Sequence, residues 1–253
     1  MNPLAWMDVI SNDIDRTLDY YADRFGWTSE ELPLDHGEGY RIVRSGSDAV
    51  AGAEQVAAER KLDPVWTLMV ETDDAPSLIE AAVAAGAEET FALAPMLDLG
   101  RIAMLRDPWG ATLGVWEPGT FRPSDVPTVP GRLVGAVLTT PDPAASSNFH
   151  REVFGWASRP GPHDLEAGIP AFVEQGGEPA IWTPILHAPA ADPEPGEQET
   201  ATRLADAGLT RSVDPMGATF YTTHATFANS RTPARSRVAG VNIGEDPDEQ
   251  SNA

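Results

Sequence analysis

The chain has no cysteine, which excludes disulfides, thiolate nucleophiles and sulfur-ligated metals. It has a single lysine, Lys61, so its other cations are arginines. Positive charge is scarce: 17 Lys and Arg stand against 39 Asp and Glu, for a formal net charge of −22. Such a surface repels a phosphate backbone, so no nucleic-acid partner is expected. No run reaches the about 18 apolar residues of a membrane-crossing helix, so no membrane partner is expected either. Met1 to Asp8 lacks a basic stretch followed by a long apolar one, and is not read as a secretory signal. Together these absences point to a soluble, cytoplasmic protein.

What is present is a repeat. Arg24-Phe25-Gly26-Trp27 returns as Val153-Phe154-Gly155-Trp156. Pro64-Val65-Trp66-Thr67 returns as Ala180-Ile181-Trp182-Thr183, and Asp107-Pro108-Trp109-Gly110-Ala111-Thr112 as Asp214-Pro215-Met216-Gly217-Ala218-Thr219. Three echoes in one order indicate a duplicated unit. The 253 residues suit two domains of ordinary size. We read a first domain over 4–118, a linker rich in Pro, Ser, Thr and Asp over 119–130, a second domain over 131–243 and a disordered acidic tail over 244–253.

Within the first unit the pattern is strand, helix, strands, twice. Leu4 to Ile10 reads as a strand. Ile14, Leu18, Tyr21, Ala22 and Phe25 then form one apolar helical face, with Asp13 as its cap and Gly26 as its stop. Val65 to Glu71 is the next strong strand, followed by a helix over Ala75 to Ala85. Strands near Glu88 to Leu93, Arg101 to Arg106 and Thr112 to Trp116 complete the unit. The second unit is divergent. Its spacing from Trp156 to Trp182 is shorter than from Trp27 to Trp66, and that from Gly208 to Asp214 is shorter than from Gly86 to Asp107. Either a strand is shortened or lost, or the Asp214 echo is fortuitous and the final strand is Val238 to Ile243.

Asn12-Asp13-Ile14-Asp15 through Phe25-Gly26-Trp27 resembles the first strand-helix signature of the vicinal oxygen chelate superfamily. This is the group of glyoxalases, bleomycin-resistance proteins and extradiol dioxygenases. Asp73-Asp74, Ala84-Ala85-Gly86 and Gly100-Arg101 through Asp107-Pro108-Trp109-Gly110 resemble the second module of the same domain. The resemblance implies an α+β fold: tandem domains of paired βαβββ modules, each pair curling into a half-barrel cup with helices outside. It also implies a divalent metal in the cup, held by His, Gln or Glu.

Counting by motif, the three ligand positions are Trp6, Thr67 and Gly114. None donates to a divalent ion as imidazole or carboxylate does. A slip of one residue gives Met7, Leu68 and Val115. A slip of two gives Asp8, Met69 and Trp116, still a single donor. No metal and no other cofactor is therefore expected in this domain. The histidines do not change that: His36 and His163 fall in loops, His150 takes the place of Tyr21, and His187 and His224 lie in the divergent half.

Side chains alternate along a strand. If Trp6 faces the cup, so does Asp8; if Thr67 does, so do Met69 and Glu71; next to Gly114, so does Trp116. The intervening Met7, Val9, Leu68, Val70, Leu113 and Val115 are all apolar, as packing against helices requires. The expected ligand site is thus Trp6, Thr67, Met69 and Trp116. The expected acid-base candidates are Asp8, Glu71 and His187, which occupies the Glu71 position of the second copy. Two alternatives stand beside this: the carboxylates as solvated strand-end groups, and the tryptophans as plain core.

Aromatic walls with few polar points suit a flat organic ligand. The function read from the sequence is metal-independent binding of a small aromatic or polycyclic metabolite or drug, by a monomer or homodimer. The alternative is a metal-independent isomerase, cyclase or hydrolase of secondary metabolism using carboxylate acid-base catalysis. A metal-dependent glyoxalase or dioxygenase is argued against by the missing ligands.

Overall fold

The computed structural model describes residues 1–33, 39–57, 64–190 and 202–225. His36, Lys61, the strand read at 238–243 and the tail at 244–253 lie outside the described residues.

The first half is four strands and a helix, then the same again. It contains β1 (Leu4–Ser11), α1 (Ile14–Phe25), β2 (Trp27–Leu32), β3 (Tyr40–Ser45), β4 (Asp48–Gln55), β5 (Val65–Glu71), α2 (Ala75–Ala84), β6 (Glu88–Met96), β7 (Gly100–Arg106) and β8 (Thr112–Pro118). Asp13 caps α1 by accepting from Arg16 N at 3.3 Å. Gly26 ends it in the left-handed region, φ 69°, where a Cβ is costly. The second half repeats the device: Asp142 accepts from Ala145 N at 3.0 Å and Gly155 stops the helix at φ 72°.

These strands form one eight-stranded sheet in the order β2-β3-β4-β1-β5-β8-β7-β6. The two modules meet at the antiparallel pair β1–β5, where Asp8 lies opposite Thr67. Within each module the first strand pairs in parallel with the last, β1 with β4 and β5 with β8. An internal two-fold therefore runs between β1 and β5, and the cup opens on one face of this junction.

The second half contains β9 (Leu133–Thr140), α3 (Pro143–Phe154), β10 (Ala157–Ser158), β11 (Leu165–Glu166), β12 (Pro170–Gln175), β13 (Ile181–His187), α4 (Thr202–Asp206), β14 (Thr210–Val213) and β15 (Thr219–Thr223). They form a seven-stranded sheet, β10-β11-β12-β9-β13-β15-β14. Among the described residues its last module has one strand fewer than each module of the first half, and β10 and β11 span two residues each. The Asp214 echo is structural rather than fortuitous. Asp214 Oδ1 accepts from the backbone N–H of Met216, Gly217 and Ala218, as Asp107 Oδ1 accepts from those of Trp109 and Ala111.

The main core is shared by both sheets. Met7, Val9, Leu68, Val70, Leu113 and Val115 of the first sheet join Leu133, Ala136, Leu138, Trp182 and Phe220 of the second in one buried cluster with α1, α2 and α3. The expected α+β fold of paired modules is the observed one, including which residues of β1, β5 and β8 face the helices.

Candidate functional site

On the opposite face of the first sheet the alternation places a second cluster: Trp6, Leu32, Tyr40, Ala49, Met69, Leu99 and Trp116. Trp6, Met69 and Trp116 are all at most 4% exposed. The expected ligand-site residues thus come together in the cup, with Thr67 buried across from Asp8.

The polar centre of the cup is a buried triad. Asp8 Oδ1 accepts from Trp6 Nε1 at 2.8 Å and from the Tyr40 hydroxyl at 2.9 Å. Gly52, beside Asp8 on β4, leaves room for this contact. A Cβ there would fall 1.9 Å from the Tyr40 hydroxyl and 2.1 Å from Asp8 Oδ1. Asp8 is 6% exposed, so the solvated strand-end alternative does not describe it. Burial raises its pKa to about 7, because desolvation disfavours the charged carboxylate. The hydrogen bonds from Tyr40 and Trp6 oppose that rise, and the nearby Glu54 charge adds to it. Burial, then the Asp8 charge, holds the Tyr40 hydroxyl well above its ordinary pKa. A carboxyl titrating near neutrality beside a firm donor can give, take or share one proton with a ligand.

Tyr40 is a site residue that the sequence reading missed. Its signal was available in the alternation of β3, where Tyr40, Ile42 and Arg44 share one face.

The rest of the wall comes from an unexpected source. Phe121, in the stretch read as a linker, packs edge-on against Trp6, with ring centroids 5.0 Å apart. It lies 6.3 Å from Trp116, whose Nε1 donates to Phe121 O at 3.2 Å. With Phe121 seated, the recess among Trp6, Tyr40, Met69, Met96 and Trp116 has a volume of about 10 Å³, room for about one water. A second recess of about 30 Å³ continues past it, lined by Glu30, Leu32, Ile42, Arg44 and Ala49. Ile42, Leu99 and Phe121 border both.

Glu71, expected as an acid-base group, is bound up in the same stretch. Only 2% of it is exposed. It accepts from Arg122 Nη1 at 2.7 Å, Ser124 N at 2.9 Å and Ser124 Oγ at 2.8 Å. Arg132, fully buried, donates to Ala5 O and Pro123 O at 2.9 Å each. Glu71 and Arg132 therefore fasten residues 122–124 across the end of the cup.

His187 is not brought to Asp8 and Glu71. It ends β13 in the other sheet, opposite Thr223. It is half-buried, its Nδ1 has no hydrogen-bond partner among the described residues, and burial, then the neighbouring His224, lowers its pKa. The second cup is filled from within: Leu204 of α4 packs with Val134, Val137, Ile185, Leu209 and Tyr221. Arg203 pins that helix to Asp164 Oδ2 at 2.6 Å and to Glu174 Oε1 at 2.6 Å. At the position of Asp8 in the pairing register this cup has Val137, opposite Thr183.

The donors at the family's metal positions do not suit a divalent ion. Trp6 turns its N–H to Asp8, Thr67 offers a hydroxyl, and Gly114 lies against Met69, whose Cγ would be 2.7 Å from a Cβ there. The set holds no carboxylate or imidazole, and neighbouring Asp8 would add a single carboxylate, whereas a divalent site needs several such donors. Among the described residues no group of three or more His, Asp or Glu side chains is placed to hold a metal.

Comparison with known proteins agrees with this architecture. Residues 4–115 match the family model of the Glyoxalase/Bleomycin resistance protein/Dioxygenase superfamily. Anthracycline biosynthesis protein DnrV of Streptomyces peucetius is 28% identical over 233 residues, covering 87% of this chain and 76% of that protein. Anthracycline biosynthesis protein DauV of Streptomyces sp. (strain C5) is 30% identical over 166 residues, covering 60% of each chain. Among solved structures, the 2,3-dioxygenase LapB of Pseudomonas sp. KL28 superposes with a TM-score of 0.60 at 12% identity, covering 90% of this chain and 94% of its own. The Mn(II)-bound glyoxalase of Novosphingobium aromaticivorans gives 0.57 at 16% identity, covering 88% and 83%. At those identities the structural likeness speaks for the fold. Residues 4–115 thus match a domain of this superfamily, in a chain folded as two curved sheets.

Proposed function

Taking that superfamily domain as the premise, we propose that the protein binds a small, flat aromatic or polycyclic metabolite in the first cup, without a metal and without covalent chemistry. The observation that carries the reading is the Trp6–Asp8–Tyr40 triad set between aromatic walls. Indole faces give a planar ligand apolar contact. A carboxyl with pKa near 7 beside a phenol gives it one polar point, able to donate or accept. Similarity to two proteins named for anthracycline biosynthesis supports a polycyclic aromatic ligand from secondary metabolism. The ligand-contacting residues are Trp6, Thr67, Met69 and Trp116, with Tyr40 added.

A second reading is favoured by one observation, the raised pKa of Asp8. Here the cup is a metal-independent acid-base site, and Asp8 moves a proton on the bound metabolite. Glu71 is a poor partner for that role, since both of its oxygens are taken by Arg122 and Ser124. His187 belongs to the other sheet.

The test is an equilibrium titration of the full chain with a neutral anthraquinone, followed by tryptophan fluorescence. Binding should be saturable and unaffected by EDTA. Trp6→Ala and Trp116→Ala should each weaken it by about tenfold or more, the value of one lost aromatic contact of about 1.5 kcal/mol. Equal affinity in both variants and the parent would place the site elsewhere. Turnover that is lost in Asp8→Asn with affinity kept would select the acid-base reading.

A further inference from the structure

We infer that Phe121 is the gate of the first cup, and that the ligand is elongated and fills both recesses once the Phe121 ring has moved out. The inference rests on the binding reading above and adds to it how the ligand enters and what shape it has.

The inner recess, with about 10 Å³ open, admits about one water molecule and no aromatic ring. A ligand in contact with both Trp6 and Trp116 must therefore take the place of a side chain already there. Trp6 and Met69 project from the paired central strands β1 and β5, and Trp116 from β8 beside them. Trp6 is further held by its bond to Asp8 and Trp116 by its bond to Phe121 O. Phe121 differs: it stands outside the sheet.

Its main chain is fastened. Gly119 N donates to Leu99 O at 2.8 Å, Thr120 N to Asp98 O at 2.9 Å and Phe121 N to Leu99 O at 3.2 Å. Residues 122–124 are held by Glu71. Its ring, by contrast, is half-buried and among the described residues makes edge contacts with Trp6 and Trp116. Rotation about χ1 frees the ring without breaking any of these backbone bonds. Because Phe121 borders both recesses, the same rotation joins them into one cleft.

That cleft has a direction. One end is the indole wall with the Asp8–Tyr40 proton. The other ends at Glu30 and Arg44, a pair 3.4 Å apart whose Glu30 side chain is nearly half exposed. A molecule that fills it has a flat apolar body against Trp6 and Trp116 and a polar end at the Glu30–Arg44 rim.

The test uses Nile red, a neutral, planar four-ring fluorophore, with naphthalene as a short probe, on the full chain. Phe121→Ala should bind Nile red about tenfold or more tightly than the parent, the inverse of the fraction of molecules whose ring is already out. In stopped flow the parent's observed rate should level off with probe concentration, as gating requires, and that of Phe121→Ala should keep rising. Naphthalene, which the closed inner recess also excludes, should gain by the same factor, and should bind more weakly than Nile red in both proteins because it leaves the second recess empty. Phe121→Leu, which keeps bulk in the cluster, should fall between parent and alanine and decides the matter if the alanine variant is unstable. Unchanged or weaker Nile red binding in both variants, at unaltered melting temperature, would overturn the gate, and naphthalene binding Phe121→Ala as tightly as Nile red does would overturn the elongated ligand. Trp6→Ala separates the two claims. If it weakens the parent's Nile red binding while Phe121→Ala does not tighten it, the gate fails and the site stands. If it has no effect, the site itself fails.

Discussion

The hydroxyl of Tyr21 on α1 donates to Asp214 Oδ2 across the two halves at 3.2 Å and accepts from Trp66 Nε1 at 3.2 Å. All three groups are buried. The internal symmetry sets His150, Asp107 and Trp182 in the corresponding places. The shorter imidazole stops 3.9 Å from Asp107 Oδ2, and among the described residues His150 Nε2, Asp107 Oδ2 and Trp182 Nε1 have no hydrogen-bond partner. One junction between the halves is thus hydrogen-bonded and its symmetry mate is not. Tyr21→Phe removes the hydroxyl alone and leaves Asp214 Oδ2 and Trp66 Nε1 unsatisfied. It should cost about 1–3 kcal/mol, read as a lower urea midpoint. A midpoint equal to the parent's would mean that this contact does not hold the halves together.

His150 should also set the acid limit. Burial lowers its pKa to about 4, while the Ser146 carbonyl at 2.7 Å opposes the shift. The folded value lies below the unfolded one of about 6.5. Its neutral form therefore supports the fold above pH 6.5, and that support is lost as pH falls from 6.5 towards 4. Asp107, itself raised by burial, faces it. His150→Gln should flatten the decline in thermal midpoint between pH 6.5 and 4, and an unchanged slope would contradict the assignment.

Asp8 should act in the opposite sense. Its folded pKa of about 7 lies above the ordinary 3.8, so the folded chain binds this proton more tightly than the unfolded one. Its contribution is most favourable at low pH and falls as pH rises from about 4 to 7, by on the order of 3 kcal/mol. Asp8→Asn removes that titration while keeping an acceptor for Trp6 and Tyr40. The variant should be relatively more stable than the parent at pH 8 than at pH 4.5. A parallel pair of stability curves would mean that Asp8 is not buried as described.

Glu71→Gln tests the role of the other carboxylate. It keeps the shape and weakens the bonds to Arg122 and Ser124. Because Arg122 is more than a third exposed, the loss should be about 1–2 kcal/mol rather than that of a fully buried pair. Proteolysis should become faster at 119–130. A drop in turnover on a metabolite, with no change in cleavage there, would instead make Glu71 an acid-base group.

Much of this was legible in the sequence because the signals are local. Caps at Asp13 and Asp142 act over three residues, and alternation along β1, β5 and β8 sorts Trp6, Asp8, Met69 and Trp116 onto one face without any knowledge of partners. What was missed is non-local. Tyr40 meets Asp8 only because β3 and β4 fold back beside β1, at a glycine that leaves the space. Phe121 lies in a segment whose composition reads as a linker, and nothing in that composition says that its ring enters the cup. Glu71 is indistinguishable from a free carboxylate until Arg122 and Ser124, some fifty positions later, are seen to close on it. The filling of the second cup by α4 likewise depends on a five-residue helix too short to announce what it covers.

On the proposed function, the first cup and not the second takes a flat aromatic ligand. The most direct measurement follows the indole N–H resonances of the seven tryptophans by two-dimensional NMR during titration with a neutral anthraquinone. The N–H signals of Trp6 and Trp116, assigned with Trp6→Phe and Trp116→Phe, should move in a saturable way, while the methyl signals of Val137, Ile185 and Leu204 in the second cup stay in place. Movement of the Val137, Ile185 or Leu204 methyl signals with Trp6 and Trp116 unmoved would put the ligand in the second cup instead.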